Sequence, residues 1–232
     1  ETIKAEHFVH EWDNVNNICP DHASTIGRGL GAERQRCEQL LSDANEEQAE
    51  FLSCVISSID AVLDLAERYL TEARRIGNDE MAEILFQVPY NGATSFHEAL
   101  QFLRILHFTL WCEGEYHNTL GRFDQYMYPY LKADLDSGKL DRDGALELVE
   151  EFFISLNKDS DLYRGIQQGD NGQSLMLGGV DAEGNDAFNL LSELVLQASR
   201  ELKLIDPKIN LRVSSKTPLR VFELGTLLTR EG

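Results

Sequence analysis

Residues 95–112 constrain the fold of this chain more than any other stretch. Ser95 and Glu98 make the S-x-x-E pattern of a capping box, in which each side chain satisfies a backbone N–H at a helix start. The helix it opens carries Leu100, Phe102, Leu103, Ile105, Leu106, Phe108, Leu110 and Trp111. Those positions run nearly all the way round a 3.6-residue spiral, so no face is left for water. Such a helix is stable only when other elements surround it. The rest of the chain must wrap it, and with 42% apolar residues in 232 there is material for a real core.

The wrapping elements are legible from spacing and caps. Residues 1–23 read as irregular, and 24–44 as a helix whose start is weakened by Gly27, Gly29 and Gly31. Asn45, with Gln48 three residues on, caps a helix in which Phe51, Val55, Ile59, Val62, Leu63, Ala66 and Leu70 recur at helical spacing. Gly77-Asn78 ends it as a left-handed cap would. Residues 79–87 form a short helix running into Val88-Pro89. Helices over 122–136 and 142–157 follow, parted by a turn at Ser137-Gly138, and 158–172 is a polar loop. A strand begins at Ser174, a helix covers about 186–203, and residues 208–213 alternate as a strand. Thr217-Pro218 opens a last helix. The tail is therefore one βαβ unit, and the expected class is α/β, predominantly α-helical, in a single domain over 1–232.

Charge and residue types exclude several functions. Against 21 Lys and Arg stand 40 Asp and Glu, a net charge of −19. Such a chain repels phosphate backbones and anionic lipid, so no nucleic acid and no membrane is expected as a partner. No run approaches the roughly 18 apolar residues of a bilayer span, and no signal-peptide pattern precedes residue 20. Cys19, Cys37, Cys54 and Cys112 form no CxxC pair and read as reduced thiols of a cytoplasmic protein, three of them on helix faces as small hydrophobes. The six histidines lack a completing carboxylate cluster, so no metal is expected. Pairs such as Asp134 and Asp136 read as a solvated face. Gly178-Gly179 and the acids after it lack the Lys of a P-loop and the spacing of a dinucleotide site. By residue type alone Tyr116 and His117 are ordinary turn residues, and spacing goes no further than a mostly helical domain ending in βαβ.

Residues 117–130 put a Gly-Arg pair and four aromatics into one short stretch, in a chain that is 9% aromatic. Gly121-Arg122-Phe123-Asp124-Gln125-Tyr126 and Leu177-Gly178-Gly179 resemble motifs of the glycyl radical enzyme superfamily, the pyruvate formate-lyase-like proteins. Asn17-Ile18-Cys19-Pro20-Asp21 resembles that family's turn into Pro-Asp. Phe96-His97-Glu98-Ala99-Leu100 resembles the start of its buried helix, and Leu211-Arg212-Val213 followed by Thr217-Pro218 its next barrel strand. The resemblance runs from about Asn16 onward, with the motifs in the family's order.

The resemblance implies the amino-terminal part of a barrel of parallel half-sheets wrapped by helices, with an enclosed active site. A closed interior keeps a radical from water and oxygen, as anaerobic metabolism of this kind requires. The implied parent is a lyase or dehydratase, or a formate acetyltransferase (a transferase), that cleaves a C–C, C–O or C–N bond in a small polar metabolite. It would carry a glycyl radical installed by an activating enzyme that uses S-adenosylmethionine and an iron–sulfur cluster; no cofactor is expected to bind this chain directly. None of the four cysteines matches the family's relay cysteine, and neither Gly178 nor Gly179 its radical glycine, so no catalytic residue is expected here and the isolated chain should be inactive. The resemblance does carry substrate-binding positions over to Asn17, Tyr116, His117, Gly172 and Gln173. The missing carboxyl-terminal half, or self-association, is the expected partner of the exposed barrel side. The competing reading is a non-catalytic helical scaffold derived from the same fold.

Overall fold

The computed structural model describes residues 17–112, 117–159 and 172–231. In chain order the elements are β1 (Asn17–Ile18), α1 (His22–Arg28), α2 (Leu30–Leu41), α3 (Glu46–Ile76), α4 (Asp79–Gln87), α5 (Phe96–Cys112), β2 (His117–Asn118), α6 (Phe123–Asp136) and α7 (Arg142–Leu156). A 3₁₀ turn (Asn157–Asp159) leads on to β3 (Ser174–Gly178), α8 (Leu190–Leu202), β4 (Lys208–Arg212) and α9 (Leu219–Glu231).

The all-round apolar helix is α5, and it lies at the centre. It packs against α1, α3, α4, α6 and α7 and against β2. Phe96, Ala99, Phe102 and Leu103 are fully buried, and they join Phe123, Met127, Leu131, Phe152, Phe153 and Leu156 in one core. The rings of Phe123 and Phe152 stack with centroids 5.7 Å apart. Burial is less complete toward the carboxyl end: Phe108, Leu110 and Trp111 are only half-buried. A groove of about 460 Å³ opens there between α3, α4 and α5, with Tyr69, Ile76, Met81, Leu85, Ile105 and Phe108 in its walls.

Helix starts follow the local chemistry. Asn45 and Gln48 exchange the two bonds of a capping box, and Gly77 ends α3 in the left-handed region. At α5, Glu98 Oε2 accepts from the N–H groups of Thr94 and Ser95, while Ser95 Oγ accepts from Glu98 N. A further acceptor comes from a distant part of the chain. Asp134 Oδ2 on α6 accepts the N–H of Phe96 at 2.7 Å, within a buried site. A carboxylate at the positive end of a helix dipole is favourably placed, and here it ties α6 to α5.

Parallel backbone pairing forms the other half of the fold. β1 pairs with β2, and β3 with β4, both in parallel. The two pairs are joined: Gly121, just after β2, bridges Leu175 in parallel, with Leu120 N donating to Ser174 O and Met176 N to Gly121 O. The result is one ribbon in the order β1, residues 117–121, β3, β4. Leu175 and Leu177 of β3 are buried against the helices, whereas Ser174 and Met176, which alternate with them, are half-exposed. On β4 only Ile209 and Leu211 pack against the core. One face of the ribbon is thus covered by helices; the other carries Ser174, Met176, Lys208, Asn210 and Arg212.

Several expectations are corrected. The helix expected over 24–44 is two, because Gly29 (φ 84°) breaks it. A Cβ there would strike the Tyr90 carbonyl, and Leu30 N and Gly31 N donate to Pro89 O and Tyr90 O. Within the stretch read as irregular, Asn17–Ile18 is a strand; residues 1–16 lie outside the described residues, as do 160–171 of the expected loop. The helix expected from 186 begins at Leu190, since Asn189 caps it and Val180 bridges Asp186 in the preceding turn. Asp134 is not on a solvated face but 6% exposed. Cys37, Cys54 and Cys112 do lie on helices, but Cys54 and Cys112 are exposed and Cys37 half-buried rather than packed as small hydrophobes. No helix among the described residues is long and apolar enough to cross a membrane.

Asp134→Ala would leave the Phe96 N–H buried with no acceptor, a loss of about 1–3 kcal/mol, and Asp134→Asn, which keeps an acceptor, should lose less. Urea unfolding of both variants, with the slope unchanged, checks the order.

Candidate functional site

The two motifs that stand out in the sequence meet in space. Asp124, the second residue of α6, is fully buried, and its Oδ2 accepts from Gly178 N at 2.7 Å and from Ser192 Oγ at 2.6 Å. Its own carbonyl accepts from Asn189 Nδ2 at 3.0 Å. Arg122 donates to the carbonyls of Gly178 (2.8 Å) and Val180 (3.0 Å). Gln125 Nε2 donates to Ala187 O, and Tyr126 Oη to Leu120 O. The Gly-Arg-Phe-Asp-Gln-Tyr motif is therefore a clamp around the Leu-Gly-Gly turn.

Glycines are needed at that turn. Gly178 and Gly179 have φ of 65° and 83°. A Cβ on Gly178 would lie 3.1 Å from the Arg212 carbonyl, and Gly179 N donates to that carbonyl at 2.9 Å. The clamp thus holds the end of β3 against β4. Burial raises the Asp124 carboxyl above the usual range; the Gly178 N–H, the Ser192 hydroxyl, Gln125 and the nearby Arg122 pull the other way. Tyr126 is half-buried, and burial of its hydroxyl raises the phenol well above the usual value.

Four of the five positions expected to bind substrate come together along the ribbon. Asn17 and His117 are register partners in the β1–β2 pair. Gly172 and Gln173 immediately precede β3, whose first residue is held by the neighbouring segment: Ser174 O accepts from Leu120 N and from Thr119 Oγ1. Tyr116 lies outside the described residues, as do the side chains of Asn17 and His117. Gly172 has a positive φ of 63°.

Gln173 faces the helices. It is 1% exposed and shares the covered side with Leu175 and Leu177. Its Nε2 lies 3.3 Å from the Leu156 carbonyl and 3.5 Å from Asp206 Oδ2. Its amide therefore braces the start of β3 against the end of α7 and the cis Asp206-Pro207 turn. The polar side chains on the uncovered face next to it are Ser174, Lys208 and Asn210, which are register neighbours or two residues apart. Spacing alone missed them. The period-2 alternation of 208–213 would have placed Lys208, Asn210 and Arg212 on one face, without saying which face stays open. No three His, Cys, Asp or Glu residues among those described are grouped so as to hold a metal ion.

A short parallel ribbon, open on one side among the described residues and wrapped by helices on the other, with its strands locked by a Gly-Arg…Asp clamp, is part of a glycyl radical enzyme barrel. The chain belongs to the pyruvate formate lyase-like family, whose pattern matches residues 3–232. It is 28% identical over 215 residues to trans-4-hydroxy-L-proline dehydratase of Clostridioides difficile, covering 82% of this chain and 26% of that protein. It is 32% identical over 196 residues to isethionate sulfite-lyase of Nitratidesulfovibrio vulgaris, covering 76% of this chain and 24% of that protein. Among solved structures, the glycerol-bound B12-independent glycerol dehydratase of Clostridium butyricum superposes with a TM-score of 0.86 at 28% identity, over 94% of this chain and 30% of that one. The Roseburia inulinivorans protein solved for 1,2-propanediol dehydration gives 0.89 at 26% identity, over 94% of this chain and 29% of that one. This chain spans about a quarter to a third of the length of these relatives.

Asp124→Ala removes two charge-assisted bonds and strands the Gly178 N–H, so it should cost about 3 kcal/mol or more. Amide exchange should show the loss first at Gly178 and along β3–β4. If exchange there stays as slow as in the unaltered chain, the clamp does not hold the ribbon.

Proposed function

We propose that this chain is the amino-terminal part of a glycyl radical lyase or dehydratase acting on a small polar metabolite. The observation that carries the reading is the β1–β2 pairing, which sets Asn17 opposite His117 on a ribbon whose face away from the described helices carries Ser174, Lys208 and Asn210. Asn17, Tyr116, His117 and Gly172 form the substrate-binding wall in this reading, with Ser174, Lys208 and Asn210 beside them. Gln173 acts from the covered side, by fixing the start of β3. The reaction needs an enclosed site in which a few polar groups orient a hydroxyl- or carboxylate-bearing substrate. His and Asn can each donate and accept, which suits such groups. Lysine and arginine on the open face would favour an anionic substituent in an otherwise acidic protein.

The dehydratase or lyase type is preferred to the formate acetyltransferase type. The relatives named as hydroxyproline and glycerol dehydratases and as a sulfite-lyase support that preference. The bond broken would be C–O, C–N or C–C. None of the four cysteines or of the described glycines is assigned a radical role; those residues, and the rest of the barrel, would come from chain beyond this part. An S-adenosylmethionine-dependent iron–sulfur activating enzyme would install the radical. The apolar groove beside Phe108, together with the exposed Phe51, Ile76 and Leu219, would be covered by that further chain or by self-association.

In the intact enzyme, His117→Ala should lower turnover by about 100-fold or more while the melting temperature moves by only a few degrees. Turnover that survives the substitution would remove His117 from the site. Mixed with an activating enzyme, the present chain alone should give no glycyl radical doublet in electron paramagnetic resonance; a doublet assigned to it would overturn the division of roles.

A further inference from the structure

Two buried imidazoles press against the strand that bears His117. His22 opens α1, is 3% exposed, and has Nε2 3.3 Å from the Thr119 carbonyl. That bond needs the proton on Nε2, which leaves Nδ1 a buried acceptor with no hydrogen-bond partner. His107 on α5 is 1% exposed; its ring lies against the backbone of Asn118, yet neither nitrogen closes a hydrogen bond of ordinary geometry. Tyr126 of α6 completes the cluster. Its ring centroid is 5.9 Å from that of His22, and its hydroxyl donates to Leu120 O. Three helices thus send one polar ring each onto the backbone of residues 118–120.

Leucine would fill the two histidine positions at lower cost, because buried polar atoms without partners are unfavourable. Imidazoles serve a purpose there if they grip backbone. We propose that His22 and His107 are positioning residues for the substrate-binding strand, holding the backbone of 118–120 in register only while both rings are neutral. This rests on the reading of Asn17 and His117 as pocket residues, but the contact itself can be tested without it.

The charged and titratable surroundings agree. His22 is held neutral by burial, against the bond to Thr119 O and the adjacent Asp21 carboxylate, which favour its charged form. Burial, then Arg104 one turn away, then His22 push His107 down to about 3, with the Asn118 backbone opposing. From α6 the facing group is the Tyr126 phenol, itself acted on by Cys19 and Asp124 and raised by burial. Both imidazoles therefore lie below the value of about 6.5 that they have in a released, solvated segment. As pH falls through about 6.5 the released state takes up protons that the gripped state does not. The hold is complete above that pH and weakens below it.

Amide exchange in this chain tests the idea through protection factors, which remove the intrinsic pH dependence. The Thr119 N–H donates to Ile18 O and the Leu120 N–H to Ser174 O, so both amides report on this segment, while the Lys208 N–H, donated to Gln173 O, serves as a reference. Between about pH 7.5 and pH 5, protection at Thr119 and Leu120 should fall about tenfold or more relative to Lys208. His22→Gln, which can still donate to Thr119 O but does not titrate, should restore much of the lost protection at the lower pH; His22→Ala should lose protection at both. A ratio of Thr119 to Lys208 protection that stays constant with pH in the unaltered chain overturns the proposal, whether or not any variant folds. Failure of the pocket reading looks different. In that case the pH response of Thr119 survives, and His117→Ala leaves turnover of the intact enzyme unchanged.

Discussion

The buried carboxylate of Asp124 is the interaction on which the rest of the arrangement depends. It takes the Gly178 N–H with one oxygen and the Ser192 hydroxyl with the same oxygen, so it fixes the end of β3 and the start of α8 together. Arg122 grips the other side of the same turn through two carbonyls. Because Gly179 in turn bonds to the Arg212 carbonyl, the position of β4 follows from that of β3. A buried acid is tolerated here because hydrogen bonds meet the desolvation cost; without its partners it would be strongly unfavourable.

The clamp explains why a chain with only short strands can present an ordered polar face. Isolated two-residue pairs such as β1–β2 have little stability of their own. Here they are backed by α5, by the rings of His22, His107 and Tyr126, and by bonds from residues 119–121 to β3. The helices supply apolar burial on one side, and the open side is free to be polar. On the proposed reading, affinity and specificity for a small substrate would be a matter of a few side chains on that rigid backing.

Most helices were legible because their signals are local. The Asn45–Gln48 box, the Gly77 cap, the Ser95–Glu98 box and the period of the apolar residues each act within one or two turns. The alternation of 208–213 and the strand at Ser174 were legible for the same reason. What misled spacing was long-range chemistry. Asp134 has the sequence context of a surface acid, yet it caps a helix 38 residues away. Gly29 is one of three closely spaced glycines, and only the approach of Pro89 and Tyr90 makes it the break. Gln173 sits at a position the family resemblance assigns to the pocket, and only its neighbours Leu156 and Asp206 show that its side chain points into the covered layer.

The sequence by itself determined the helix-rich βαβ ending, the central buried helix and, through its Gly-Arg…Asp and Leu-Gly-Gly motifs, the family, because caps, periodicity and motif spacing are short-range properties of a chain. Tertiary structure alone decided which strands are neighbours, which ribbon face stays open, and that Asn17 lies opposite His117 across about a hundred residues of chain. It also brought two buried imidazoles, far apart in sequence, against one strand. Those outcomes depend on how helices from separate segments share a single core, and that is settled by packing, not by any local rule.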